Sequence, residues 1–117
     1  MSRIKIKNFG PIKDGYLEND GWIDVKKVTV FIGNQGSGKS TVAKLISTFS
    51  WIEKAIYRGD LDDSLSRQEI EDFMSFQRIH HYIKPDTLIE YEGDMMKIYY
   101  SSKTTPHFEK NWTSDHL

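Results

Sequence analysis

The chain has 117 residues, a formal net charge of −1 and no cysteine. That length suits one domain with a modest core, and the near-neutral balance gives no overall pull toward nucleic acid or anionic membrane. The absence of cysteine excludes a disulfide framework and suits a cytoplasmic protein.

Apolar residues make up 38% and aromatic residues 13%, as expected of a folded globular chain. No apolar window is long enough to span a bilayer, and Met1-Ser2-Arg3-Ile4-Lys5 does not read as the start of a signal peptide. Asn111-Trp112-Thr113 fits a glycosylation pattern, read as chance without a secretory signal.

From Arg3 to Lys7 basic and apolar residues alternate, which predicts a half-buried strand. Its outward face of Arg3, Lys5 and Lys7 suits a nucleic-acid contact, plain solvation or protection of a sheet edge. Asn8-Phe9-Gly10-Pro11 is a turn. A second strand is expected over Lys13 to Glu18, a hairpin at Asn19-Asp20-Gly21, and a return strand from Trp22 to Val25. Val28-Thr29-Val30-Phe31-Ile32 is a continuous apolar, β-branched run, as in a strand buried on both faces.

Directly after that run comes Gly33-Asn34-Gln35-Gly36-Ser37-Gly38-Lys39-Ser40, a match to the phosphate-loop (Walker A) pattern G-x-x-x-x-G-K-[ST] at every fixed position. Glycines at 33, 36 and 38 permit the close backbone approach that a Cβ would block. Successive amides then form an anion-binding nest, reinforced by the positive end of the following helix. In such a loop Lys39 reaches the β- and γ-phosphates and the Ser40 hydroxyl ligates Mg²⁺. Thr41 either contacts the α-phosphate or packs in the first helical turn. The expected cofactors are ATP and Mg²⁺.

Thr41 to Tyr57 has a helical apolar period, with Val42, Leu45, Ile46, Phe49, Ile52 and Ile56 inward, and Gly59 stops it. Asp60 to Asp63 is an acidic connection, read as a solvated loop rather than a metal site. Ser66 with Glu69 forms a capping-box pattern. It opens a helix expected to run to about Ile83, with Ile70, Phe73, Met74 and Ile79 inward and Pro85 as the stop. His80 and His81 project about 100° apart on a helix, so they read as surface residues and not as a zinc pair.

Gly93-Asp94 predicts a two-residue hairpin pairing Tyr91 with Met96, Glu90 with Lys97 and Ile89 with Ile98. The chain beyond Ser101 reads as polar and fraying, so residues 1–103 are expected to form one nucleotide-binding lobe and 104–117 a polar tail. The overall class is α/β: antiparallel N-terminal strands, a central phosphate-loop strand and helix, a second helix and a C-terminal hairpin.

Ile4-Lys5-Ile6-Lys7-Asn8-Phe9-Gly10-Pro11-Ile12 resembles the opening strand and turn of ABC-type ATPase heads of the SMC-, RecF- and OLD-like branch, grouped with AAA-family ATPases. Phe31 to Leu45 is similar to their phosphate loop and following helix. The resemblance covers residues 3 to about 57. It implies a P-loop NTPase lobe, ATP binding, a homodimer of heads in the full-length protein, and nucleic acid as a partner of that parent. Two positions depart from the pattern: Gln35 replaces a common asparagine, and Gly10 stands where an arginine often serves the nucleotide. The resemblance therefore does not carry nucleotide contacts to that turn; any made there are expected from Phe9, Ile12 or Lys13, by stacking or chain contact.

The apolar strand ending in Asp-Glu and the signature loop of that family have no counterpart in these residues, so no catalytic residue is assigned. Neither Gln68 nor Gln77 has the strand-end setting of a water-positioning glutamine. The reading is an N-terminal lobe that binds nucleotide without turning it over by itself. Two rivals remain. One is a small P-loop phosphotransferase, which builds an alternating parallel sheet; the other is a non-catalytic dimerising or nucleic-acid-binding module using Arg3, Lys5 and Lys7.

Overall fold

The computed structural model describes residues 2–13, 20–24 and 37–112, apart from the side chains of Ser37 and Lys39. The alternation at the start produces strand β1, Arg3–Phe9, with Ile4 and Ile6 fully buried and Arg3, Lys5 and Lys7 on the other face. It is followed by β2 (Trp22–Asp24), helix α1 (Ser37–Arg58) and helix α2 (Arg67–Phe76). A 3-10 turn at His80–Tyr82 then leads to β3 (Ile83–Glu92), β4 (Met96–Ser101) and β5 (Thr104–Lys110). These strands form one five-stranded sheet in the order β2-β1-β3-β4-β5, antiparallel throughout. The chain is therefore a mixed α/β structure. The expected strands at Lys13–Glu18 and Val28–Ile32 lie almost wholly outside the described residues.

One face of the sheet meets the helices. Ile4, Ile6, Ile89, Tyr91, Ile98 and Tyr100 share a core with Val42, Leu45, Phe49, Ile52, Ile70 and Met74. Phe49 stacks on Tyr91 with ring centroids 5.9 Å apart and planes 18° apart. Truncating a ring so placed costs about 3–5 kcal/mol. The apolar residues that the period of α1 selects face inward, and Gly59 ends the helix in the left-handed region at φ 86°. The amide of Gly59 donates to Ile56 and that of Asp60 to Ala55, at 3.0 and 2.8 Å. That pair of bonds is a Schellman motif.

The second helix starts as expected: Ser66 Oγ accepts from the Glu69 amide and Glu69 returns the bond to the Ser66 amide. It ends earlier than expected, at Phe76 rather than near Ile83. The cause is a second Schellman motif. Arg78 takes φ 60°, its amide donates to Ser75, and the Ile79 amide donates to Met74. Ile79 is then 1% exposed, so burial of its side chain offsets a left-handed arginine. Pro85 does not stop a helix; it lies in β3, where the register against β1 shifts between Lys7 and Phe9.

The β3–β4 hairpin differs in register. Glu92 faces Lys97, Tyr91 faces Ile98 and Ile89 faces Tyr100, two residues further along β4 than a Gly93-Asp94 turn dictates. A shift of two keeps every side chain on its face, so Ile89, Tyr91, Met96 and Ile98 stay buried together. The expected Glu90–Lys97 pair is lost. Lys97 Nζ instead lies 3.4 Å from Glu92. Thr104–Lys110 does not fray: it pairs along β4, with Pro106 buried.

Candidate functional site

Helix α1 begins within the glycine-rich pattern, at Ser37, and its first turn carries no acidic residue. Nothing acidic in that turn opposes the positive end of its dipole, which favours an anion there. Ser40 is exposed at this end and Thr41 is 1% exposed, packed inward. Gly33, Asn34, Gln35 and Gly36 lie outside the described residues. An exposed serine and an acid-free helix start leave this end open to an anion.

The turn after β1 comes up against this helix start. Phe9 and Ile12 bond each other's backbone, and Asn8 donates to Lys13, at 2.8–3.0 Å. A Cβ placed on Gly38 would stand 4.0 Å from Ile12 Cγ1, an ordinary contact. Phe9 is fully buried, its ring edge-on to Tyr82 at 5.8 Å. Stacking of Phe9 on a base, one of the expected contacts, is thereby excluded in this conformation, and Ile12 is 8% exposed. Lys13 is exposed.

Gly10 explains its own departure from the family pattern. It sits at φ 55° and donates to the Tyr82 carbonyl at 2.9 Å. A Cβ there would lie 2.5 Å from the Tyr82 ring. No arginine fits beneath that tyrosine.

Farther along α1, Glu53 is a buried structural acid that the apolar period does not reveal. It is 3% exposed on the inward face, four residues after Phe49. Its carboxylate accepts from Tyr91 Oη at 3.1 Å and from the Met95 and Met96 amides at 2.8 and 3.1 Å. Burial, with the carboxylate nearby, pushes the Tyr91 phenol from 10.0 to about 12. The signal was an acid inside an apolar helical stripe.

The basic residues of β1 are compromised as a nucleic-acid surface. Across the outer face the register sets Asp24, Arg3, Glu92, Lys97 and Glu109 side by side, alternating in sign over five strands. Arg3 bonds Glu92 and lies 4.1 Å over the Trp22 ring. This bond holds the Glu92 carboxyl below its usual range. Lys5 also reaches Trp22, at 5.6 Å. β1 lies inside the sheet, so edge protection is not its role.

The acids after α1 are each engaged by protein groups. Asp60 meets Arg58 at 3.2 Å, Asp62 accepts from Ser64 at 2.8 and 2.9 Å, and Asp63 meets Lys110 at 2.6 Å. Among the described residues no cluster of three or more His, Asp or Glu could hold a metal ion. His80 and His81 are exposed, as expected. No described helix is long and apolar enough to cross a membrane.

A family model described as AAA ATPase domain matches residues 1–113. No curated protein and no solved structure matched the chain. The match covers nearly the whole sequence, so the chain belongs to the AAA ATPase domain family, which suggests nucleotide binding in an ATPase.

Proposed function

Taking membership of the AAA ATPase domain family as the premise, we propose that this chain binds Mg-ATP through Gly33 to Ser40, as the N-terminal lobe of an ABC-type, SMC- or OLD-like ATPase. The observation that carries this reading is the complete phosphate-loop pattern running into α1, with Ser40 exposed and no acid in the first turn. Amides of Gly33, Asn34, Gln35, Gly36, Ser37 and Gly38 would hold the phosphates, Lys39 would neutralise their charge and Ser40 would ligate Mg²⁺. Thr41 would steady the first turn beside the α-phosphate. Mg²⁺ held by the Ser40 hydroxyl would supply charge neutralisation to the phosphates. Lys13, exposed and next in the chain to Ile12, is the turn residue left to approach the nucleotide.

The antiparallel sheet favours the ABC-type reading over a phosphotransferase, whose strands alternate with helices in parallel order. The paired charges around Arg3 weigh against a nucleic-acid platform on this face. Residues 1–103 and β5 form the lobe in this reading, in a cytoplasmic parent whose heads pair around nucleotide. Hydrolysis requires groups beyond the loop, and this chain alone binds without turnover.

Thermal unfolding with and without Mg-ATP tests the reading. A ligand that binds only the folded state raises its stability by mass action. Mg-ATP should raise the melting temperature of the wild type and leave Lys39→Ala unchanged. An equal rise in both proteins would contradict it.

A further inference from the structure

The outer side of the two helices carries aromatic rings that the core does not use. Trp51 on α1 is 51% exposed and Phe76, the last residue of α2, is 81% exposed. Trp51 meets Phe73 with centroids 5.1 Å apart. Ser47, Thr48, Trp51, Phe73, Phe76 and Gln77 line a notch of about 260 Å³ between the helices. A projecting ring beside an open apolar notch is a candidate contact surface.

The charges around it differ by helix. Lys44, Ser47, Trp51, Lys54 and Arg58 follow one another at steps of three and four, on one stripe of α1. Glu53, the single acid of α1, is buried, and Arg58 is paired with Asp60, so Lys44 and Lys54 make this stripe cationic. On α2 the stripe that ends at Phe76 carries Glu69 and Asp72. The surface thus holds a knob and a hole, and a basic side and an acidic side. Those are the two kinds of self-complementarity that a two-fold contact requires.

We propose that two copies of this chain pair about a two-fold axis through this notch. Phe76 of each copy fills the notch of the other, and Lys54 of each faces Asp72 of the other. From Ser40 to Trp51 the helix rises about 16 Å, so the contact is separate from the phosphate loop and does not rest on nucleotide binding.

Sedimentation velocity of the whole chain, without nucleotide and over a dilution series, tests the pairing. The wild type should show a reversible monomer–dimer equilibrium, which Phe76→Ser weakens by at least about tenfold. Lys54→Glu and Asp72→Lys should each weaken it, their combination should restore it, and Lys39→Ala should leave it unchanged. Circular dichroism checks that the exposed-site variants stay folded. If Phe76→Ser disturbs the fold, the charge exchange decides alone. A wild type that sediments as a monomer throughout assigns the surface to another partner and overturns the proposal. So does a dimer indifferent to Phe76→Ser, or one that the paired charge exchange fails to restore.

Discussion

The buried carboxylate of Glu53 on α1 accepts the Met95 amide at 2.8 Å, tying the helix that leaves the glycine-rich pattern to the tip of the β3–β4 hairpin. The Met96 amide adds a bond at 3.1 Å to the same oxygen. Removing the acceptor leaves buried donors unsatisfied, so Glu53→Ala should lower stability by about 2–4 kcal/mol in urea unfolding. Glu53→Gln, whose amide oxygen can still accept both bonds, should cost less than half as much. Faster hydrogen exchange at Met95 and Met96 in Glu53→Ala would locate the effect.

Gly93 belongs to the same contact. A Cβ there would stand 2.2 Å from the Glu53 carboxylate. Gly93→Ala should therefore destabilise the wild type, and should cost less when Glu53 is already alanine. A double-mutant cycle reads this as a coupling of about 0.5–3 kcal/mol. Additive losses would mean that the two sites do not touch.

Arg78 pays for a left-handed conformation that glycine adopts freely. Arg78→Gly should stabilise the protein by about 1 kcal/mol, seen as a higher urea midpoint at unchanged slope. Gly10→Arg should do the reverse, because the new side chain collides with Tyr82. Its loss should be about 1–3 kcal/mol and should shrink in a Tyr82→Ala background.

The inner faces of α1, α2 and the strands were legible because apolar period alone selects them. What the sequence hid depends on partners far away in the chain. The hairpin slipped by two residues because Glu53, forty-odd positions earlier, caps its tip. The second helix stopped early because an arginine took a place usually held by glycine. Strand β5 had a period-two signal, Pro106 and Phe108 inward against Thr105 and His107, but its polar residues and its proline masked it. The glycine-rich pattern was plain in the sequence, whereas Ile12 beside the helix start and Gly10 beneath Tyr82 acquire meaning only from the fold.

Tyr91 gives the protein an alkaline limit. Its folded-state pKa is raised, from 10.0 to about 12, so the protonated phenol favours the folded state. That contribution is complete below pH 10.0 and declines as pH rises toward about 12. Unfolding free energy measured across this window should fall more steeply for wild type than for Tyr91→Phe. Identical slopes would contradict it.

Isothermal titration of Mg-ATP into the wild type and into Lys39→Ala measures the central claim directly. The wild type should give saturable heat with one site per chain, and Lys39→Ala should give little or none. Equal heats from both proteins would contradict nucleotide binding through Gly33 to Ser40.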